Sequence, residues 1–393
     1  MEGDFIKLNS KLLPLSWLYG LGVKFRNMLF EINILKSKSY SVPVISVGNI
    51  TVGGSGKTPH VEYLIELLSD QMQVAVLSRG YKRKSKGYVL ATSKSTVADI
   101  GDEPLQMKRK FGKVHVAVDA DRCEGIERLT SDDTTSNTEV ILLDDAYQHR
   151  YVKPGINILL VDYHRLISYD RLLPAGRLRE PREGKSRADI VIVTKCPTTM
   201  KPMDYRVVTR NLDLYPYQTL LFSHLRYGDL HPMYCGDDRR LDSLGANEHV
   251  LLLTGIAQPQ QMMMDMEVYC KHITPMTFAD HHAYTPEDIE RINSTYASLP
   301  EPRLIITTEK DAARLHGMEG LTDDVRHHMY TLPVRVEFLN DNAETFHNKI
   351  FTYLKKDVEK SGLVRRQQAE REAQAAKENN GKKSPDKPRT ISF

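Results

Sequence analysis

Val42-Pro-Val-Ile-Ser-Val-Gly48-Asn-Ile-Thr51-Val-Gly-Gly-Ser-Gly-Lys57-Thr58-Pro59 is the stretch on which the reading of this chain turns. Its first half is apolar and β-branched at Val42, Val44, Ile45 and Val47, as in a strand buried on both faces of a parallel sheet. A glycine-rich turn follows. From His60 to Leu68 the apolar residues Val61, Leu64, Ile65 and Leu68 return with helical period. Strand, glycine loop, Gly-Lys-Thr and helix is the context of a phosphate-binding P-loop. In such a loop the backbone N–H groups of Thr51, Val52, Gly53, Gly54, Ser55 and Gly56 turn inward around an anion. Lys57 reaches the β/γ-phosphates and the Thr58 hydroxyl holds Mg²⁺. The helix start adds its positive dipole end. Pro59 suits the first turn of that helix. The pattern departs from its usual form at Thr51, which stands where the first glycine belongs; Gly53 and Gly54 are expected to supply the flexibility.

Working outward, Val74–Leu77 reads as a second strand, ending in Ser78-Arg79-Gly80-Tyr81. The basic residues Lys82, Arg83, Lys84 and Lys86 follow. They suit a solvated loop or a contact with phosphates, and Arg79 is the strongest candidate because ligands of open α/β sheets bind at the carboxyl ends of strands. Asp99-Ile-Gly-Asp102-Glu103-Pro104 precedes a helix expected over 105–110, with Asp102 on a loop. Val114–Val118 is a short strand, and Asp121-Arg122-Cys-Glu-Gly125 opens a further helix. Val140-Ile-Leu-Leu-Asp144-Asp145 is an apolar strand ending in two carboxylates, the form of a Walker B element; Asp144 or Asp145 would complete the Mg²⁺ shell begun by Thr58. Residues 130–138 read as a polar loop. Strands over 156–161 and 188–194 flank an arginine-rich segment, Leu172–Arg182, too rich in Pro and Gly to be one helix.

Strands alternating with helices through residue 195 predict a P-loop-type parallel sheet wound with helices. After a composition change near residue 200, two short extended segments are expected at 218–222 and 225–227. Strand–loop–helix units restart at His249 and Leu304, giving a second, smaller α/β domain. Thr285 is the expected cap of a helix that begins after Asp280-His281-His282. The resulting division is 1–40, an N-terminal amphipathic helix region; 41–225, the nucleotide-binding domain; 226–350, the smaller α/β domain; and 351–393, a charged tail that is disordered or a frayed helix.

Residues 12–35 carry the only tryptophan, Trp17. Lys24 and Arg26 interrupt the apolar run well before the ~18 residues that a spanning helix needs. Leu18, Leu21, Phe25, Met28, Leu29 and Ile32 share one helical face, which suits either a membrane interface or packing on the protein's own core. The 393 residues carry a net charge of +3, too little to argue for nucleic acid. Four cysteines without Cys-x-x-Cys spacing read as reduced thiols of a cytosolic protein.

Together, Val47-Gly48-Asn49 with the P-loop, Ser78–Tyr81, Gly101–Pro104, Leu143–Gln148, Leu173–Gly176 with Leu178–Pro181, Phe278–His281 and Thr308–Asp311 resemble the tetraacyldisaccharide 4'-kinase family, the lipid A kinases of Gram-negative bacteria. The likeness runs from about residue 12 to about residue 340. It implies ATP as substrate with Mg²⁺, and transfer to the 4'-hydroxyl of a tetraacylated glucosamine disaccharide 1-phosphate in lipid A biosynthesis. It further implies two α/β domains joined by a two-stranded linker, and peripheral attachment at the cytoplasmic face of the inner membrane, which decides the reading of residues 12–35. Neither nucleic acid nor an obligate protein partner is implied. Asp102 matches the family's base and His281 its partner across the domains. With Lys57 they form the expected catalytic set. Arg79, Arg122, Gln148, Arg179 and Glu180 are the expected contacts to substrate or phosphate. The competing reading is a membrane-associated P-loop NTPase switch acting through a protein partner. Against a GTPase, Thr194-Lys195-Cys196-Pro197 lacks the final Asp of the guanine-binding motif.

Overall fold

The computed structural model describes residues 8–257 and 259–357. They fall into two compact units, one reaching Glu344 and one beginning at Thr345. The first unit holds two sheets. The larger has nine strands in the order β14-β8-β7-β6-β1-β5-β2-β4-β3. These are β1 Val44–Gly48, β2 Val74–Ser78, β3 Val89–Leu90, β4 His115–Val118, β5 Val140–Asp144, β6 Ile156–Asp162, β7 Ile190–Thr194, β8 Thr219–Tyr227 and β14 Val334–Phe338. All neighbours run parallel except the two edge pairs, β3 with β4 and β14 with β8. The smaller sheet, in the order β11-β10-β12-β13-β9, has five strands: β9 His231–Pro232, β10 His249–Thr254, β11 His272–Thr277, β12 Arg303–Thr308 and β13 Met329–Leu332. Among the described residues the helices are α1 Leu13–Glu31, α2 Lys57–Leu68, α3 Val97–Ile100, α4 Asp102–Lys110, α5 Arg122–Ser131, α6 Pro202–Leu212, α7 Pro259–Met266, α8 Pro286–Ser298, α9 Glu309–Leu315 and α10 Asp323–His327, and a helical run that reaches residue 357.

Both sheets are covered on both faces, which is why their strands read as continuous apolar runs. In the larger sheet Val44, Ala75, Leu77, Ile141 and Leu143 pack with Ile126 and Leu129 of α5. In the smaller sheet alternate residues of β10 divide between two cores. Leu251 and Leu253 join Ile289, Ile292 and Tyr296 of α8, while Val250 and Leu252 join Met262 and Met266 of α7. Strand period 2 sends each set to its own side.

Several boundaries differ from expectation. The segments expected at 218–222 and 225–227 are one nine-residue strand, β8, and its pairing with β14 makes the link between the sheets an extension of the larger one. Helix α4 begins at Asp102 rather than at residue 105, so Asp102 is a buried helix-start residue and not a loop residue. Thr285 caps α8 as expected, accepting from Asp288 N at 3.3 Å while the Asp288 side chain reaches back. Of the expected tail, residues 351–357 are helical and the rest lies outside the described residues, as do residues 1–7.

Helix α1 attaches through its polar and small residues. Ser16 Oγ donates to Leu172 O at 2.9 Å and accepts from Ala175 N at 2.9 Å. Tyr19 Oη donates to Arg179 O at 2.6 Å. A Cβ at Gly20 would stand 2.6 Å from Leu172 Cδ1, so a larger residue there would turn the end of that leucine aside. The apolar face points to solvent: Trp17, Leu18 and Leu21 are 80, 69 and 66% exposed, and Phe25, Met28 and Ile32 extend the stripe. This removes the core-packing alternative for that face.

Candidate active site

The carboxyl ends of β1, β2 and β5 meet in the middle of the larger sheet, and the chain's functional candidates follow directly from them. After β1 the chain enters the P-loop. Thr51 forms an isolated bridge with Leu178, and Val52 N donates to Arg177 O at 2.8 Å. The residue that replaces the usual glycine is thus in extended backbone, and the left-handed turn falls at Gly53, with φ +120°. Asn49 Nδ2 ties the loop together, donating to Ser55 Oγ at 2.7 Å and Thr51 Oγ1 at 3.3 Å. Lys57 and Thr58 are the first residues of α2, where unpaired N–H groups and the helix dipole favour an anion. Lys57 is largely buried rather than on an exposed loop, with Nζ 3.7 Å from Asp145 Oδ1.

Behind the loop, buried His60 lies with Nδ1 2.7 Å from Gly56 O and Nε2 3.0 Å from Ser223 Oγ. The carbonyl requires a proton on Nδ1, so Nε2 accepts from the serine. Burial lowers its pKa to about 4, although the bond to Gly56 opposes the shift. The folded value is below the unfolded 6.5, so the unfolded state binds more protons between them. The stability contribution is therefore complete above pH 6.5 and lost as pH falls toward 4, by roughly 3 kcal/mol at most. Denaturant unfolding across that window should have a steep pH slope that flattens in His60→Asn; an unchanged slope refutes the assignment.

At the end of β5 the two acids are treated differently. Asp144 is buried. Its Oδ2 accepts from Ser78 Oγ at 3.0 Å and its Oδ1 is buried with no hydrogen-bond partner. Burial, with Glu103 and Asp145 nearby, pushes its pKa up to about 7. Asp145 takes a left-handed turn, φ +46°, and lies between Lys57 and Arg179 Nη1, the latter 3.2 Å away. Burial opposes its ionisation, but those two cations outweigh it and hold the carboxyl below its usual range. An orphaned, charge-starved carboxylate oxygen fits a hard divalent cation with oxygen ligands, and the Thr58 hydroxyl supplies a second such donor.

The third carboxylate is Asp102. Its Oδ1 accepts from Glu103 N at 3.0 Å; its Oδ2 accepts from His281 Nδ1 at 2.8 Å and from Arg314 Nε at 3.0 Å. Burial raises its pKa, yet the His281 hydrogen bond and the charges of Lys310 and Arg314 prevail and hold it well below the carboxylate range. His281 sits in a left-handed turn, φ +58°, after β11 of the smaller sheet, and its ring lies against Tyr81 at 4.8 Å between centroids. His281 Nε2 is 3.4 Å from Lys310 Nζ, which also reaches Glu103 Oε1 at 3.2 Å and Asp280 Oδ1 at 3.4 Å. Arg314 Nη1 donates to Gly255 O and Asp311 Oδ1, both at 2.9 Å. Lys310 and Arg314 are absent from the expected site. The sequence signal was their four-residue spacing on one face of α9, within and just after the Thr308–Asp311 motif.

The remaining expected contacts divide. Arg79 is exposed at the end of β2. Arg122 is buried, donating to Asp119 O and Ala120 O while its Nε has no partner. Glu180 and Gln148 are bonded to each other and to neighbouring elements. Glu180 is buried against Arg187 Nη2 at 2.8 Å, and Gln148 Nε2 donates to Asn49 O at 2.7 Å and Glu180 Oε1 at 3.0 Å. Arg179 is turned to Asp145, which Lys57 also approaches.

A glycine loop closing on a helix start, with an acid at the end of the neighbouring strand, defines a P-loop protein of kinase type. The sequence model of the family described as tetraacyldisaccharide-1-P 4'-kinase matches residues 8–355. Relatives named tetraacyldisaccharide 4'-kinase include one from Phocaeicola vulgatus, 55% identical and covering 92% of this chain and 100% of its own, and one from Bacteroides fragilis, 50% identical and covering 94% and 99%. The crystal structure of LpxK from Aquifex aeolicus in complex with ATP superposes with a TM-score of 0.68 at 30% identity, covering 88% of this chain and 99% of that one. The chain belongs to the tetraacyldisaccharide-1-P 4'-kinase family.

Proposed function

We propose that this chain transfers the γ-phosphoryl group of ATP to the 4'-hydroxyl of a tetraacylated glucosamine disaccharide 1-phosphate, a step of lipid A biosynthesis. The observation that carries this reading is the 2.8 Å bond between Asp102, the first residue of α4, and His281, on the turn that follows β11 of the smaller sheet. Phosphoryl transfer needs alignment, charge neutralisation and a destination for the hydroxyl proton. The P-loop amides and Lys57 bind the polyphosphate, and Arg179 moves from Asp145 to share that charge. Thr58 and Asp144 would hold Mg²⁺, which would supply further charge neutralisation. Asp102, the expected base, is bonded through Oδ2 to His281 and Arg314 and through Oδ1 to Glu103 N; the Asp102–His281 pair takes up the proton of the attacking hydroxyl as one unit, entering at His281 Nε2, and Asp102 steadies the resulting imidazolium. The acceptor hydroxyl displaces Lys310 from Nε2. The division into lobes, 41–225 and 226–350, is part of this reading, with β8 and β14 as the link. Radiolabelled ATP offered with a panel of acceptors should label only the lipid disaccharide 1-phosphate, at the 4' position; label on water or protein alone counts against it.

The site of action is the cytoplasmic face of the inner membrane, with peripheral attachment through α1. No described helix is long and apolar enough to cross a membrane. The outward stripe of Trp17, Leu18, Leu21 and Phe25 supports an in-plane seat. Leu18→Glu with Leu21→Glu should abolish co-sedimentation with phospholipid vesicles and leave kcat on a dispersed short-chain acceptor unchanged. Full co-sedimentation of that variant moves attachment elsewhere.

A further inference from the structure

Asp121, Cys123 and His149 have no part in the mechanism above. Asp121 caps α5, its Oδ1 accepting from Cys123 N at 2.8 Å, which places the carboxylate beside the Cys123 backbone. His149 stands on the turn after Asp145, its backbone N donating to Ala146 O at 2.8 Å. Carboxylate, thiol and imidazole ligand atoms all lie within 4.8 Å of one another. They face a cavity of about 380 Å³ lined by Ala120, Asp121, Cys123, His149 and Tyr151. His149 Nε2 is buried without a hydrogen-bond partner, and Asp121 Oδ1 is 4.0 Å from it.

We propose that these three side chains form a second metal site, for a borderline, thiolate-accepting divalent ion of the Zn²⁺ type, with an open fourth position toward the cavity. Bonds of about 2.0–2.3 Å in a tetrahedron set ligand atoms roughly 3.3–3.8 Å apart. Rotation of the exposed Asp121 side chain and small shifts of the other two close the gap. On binding, Cys123 gives its proton to solvent, and thiolate plus carboxylate cancel the two charges of the ion. That neutrality matters because Arg26, Arg79 and Arg122 surround His149. Thiolate and imidazole ligands select against Mg²⁺, so this site does not compete with Asp144 and Thr58. Arg122 lies between two of the ligands in sequence, and a bound ion would clamp the turn that carries it.

Co²⁺ titrated into the full-length protein in excess Mg²⁺ tests this. One equivalent should give a near-ultraviolet thiolate-to-cobalt band with visible tetrahedral bands, and Zn²⁺ should bleach both. Cys123→Ala should lose the near-ultraviolet band, as should Asp121→Asn, which keeps the helix cap. Cys235→Ala, at the exposed cysteine, should keep it. Circular dichroism identical to the parent establishes that the variants fold. No saturable band, a band that survives Cys123→Ala, or a band lost in Cys235→Ala overturns the proposal.

Discussion

Asp102→Asn is expected to lower kcat by about 10²–10⁴, the range for a lost proton-handling group, and to leave ATP affinity close to that of the parent. Asparagine preserves the volume of a fully packed position and removes the charge that His281, Arg314 and Lys310 converge upon. His281→Ala should cost a similar factor, and the double variant little more than either alone, because groups that act as a unit lose most of their effect at the first removal. The split between kcat and KM separates this from a merely structural role: kcat should fall in all three variants while the KM for ATP holds. Multiplicative losses in the double variant, or a loss shared by the KM for ATP, would mean that the two residues only hold the sheets together. A changed Mg²⁺ requirement in Asp102→Asn would instead make Asp102 a metal ligand.

Lys57→Ala should reduce kcat by about 10²–10³, the usual loss when one preorganised stabiliser of developing charge is removed. The fold should persist. Lys57 is the first residue of α2 and its loss opens no apolar cavity, while Asp145 retains Arg179 at 3.2 Å. Equilibrium unfolding should therefore move by no more than about 1 kcal/mol. Kinetics and unfolding on the same preparation are decisive: an active variant removes Lys57 from the phosphate cradle, and an inactive, unfolded one removes the test.

The parts of this site that were legible in the sequence are those in which chemistry and local structure are written within a dozen residues. The P-loop from Thr51 to Thr58 and the strand ending at Asp144-Asp145 are of that kind, since a buried strand, a turn and a helix start leave short-range marks. The spacing of Lys310 and Arg314 on one face of α9 was legible, but which group Arg314 meets was not. Its bond to Asp102 spans 212 positions and depends on how α4 and α9 meet. The amphipathic period of residues 13–31 marked the apolar face of α1 but could not tell whether core or solvent receives it. The hydrogen bonds of Ser16 and Tyr19 on the other face decide that. In the arginine-rich segment, neighbouring residues go to different partners, Glu180 inward to Arg187 and Arg179 to Asp145, and charge alone gave no way to assign those sides.

The attachment of α1 has one more consequence. Tyr19 is bonded to the backbone of Arg179, and Arg177 and Leu178 in the same segment are bonded and bridged to Val52 and Thr51 of the P-loop. On the proposed attachment through α1, the lipid-facing stripe and the P-loop are two ends of one short hydrogen-bonded frame, without a flexible tether between them. An enzyme so mounted meets its acceptor by lateral diffusion in a plane, always at one tilt. Its turnover should follow the mole fraction of acceptor in the surface and be indifferent to the bulk concentration of that lipid.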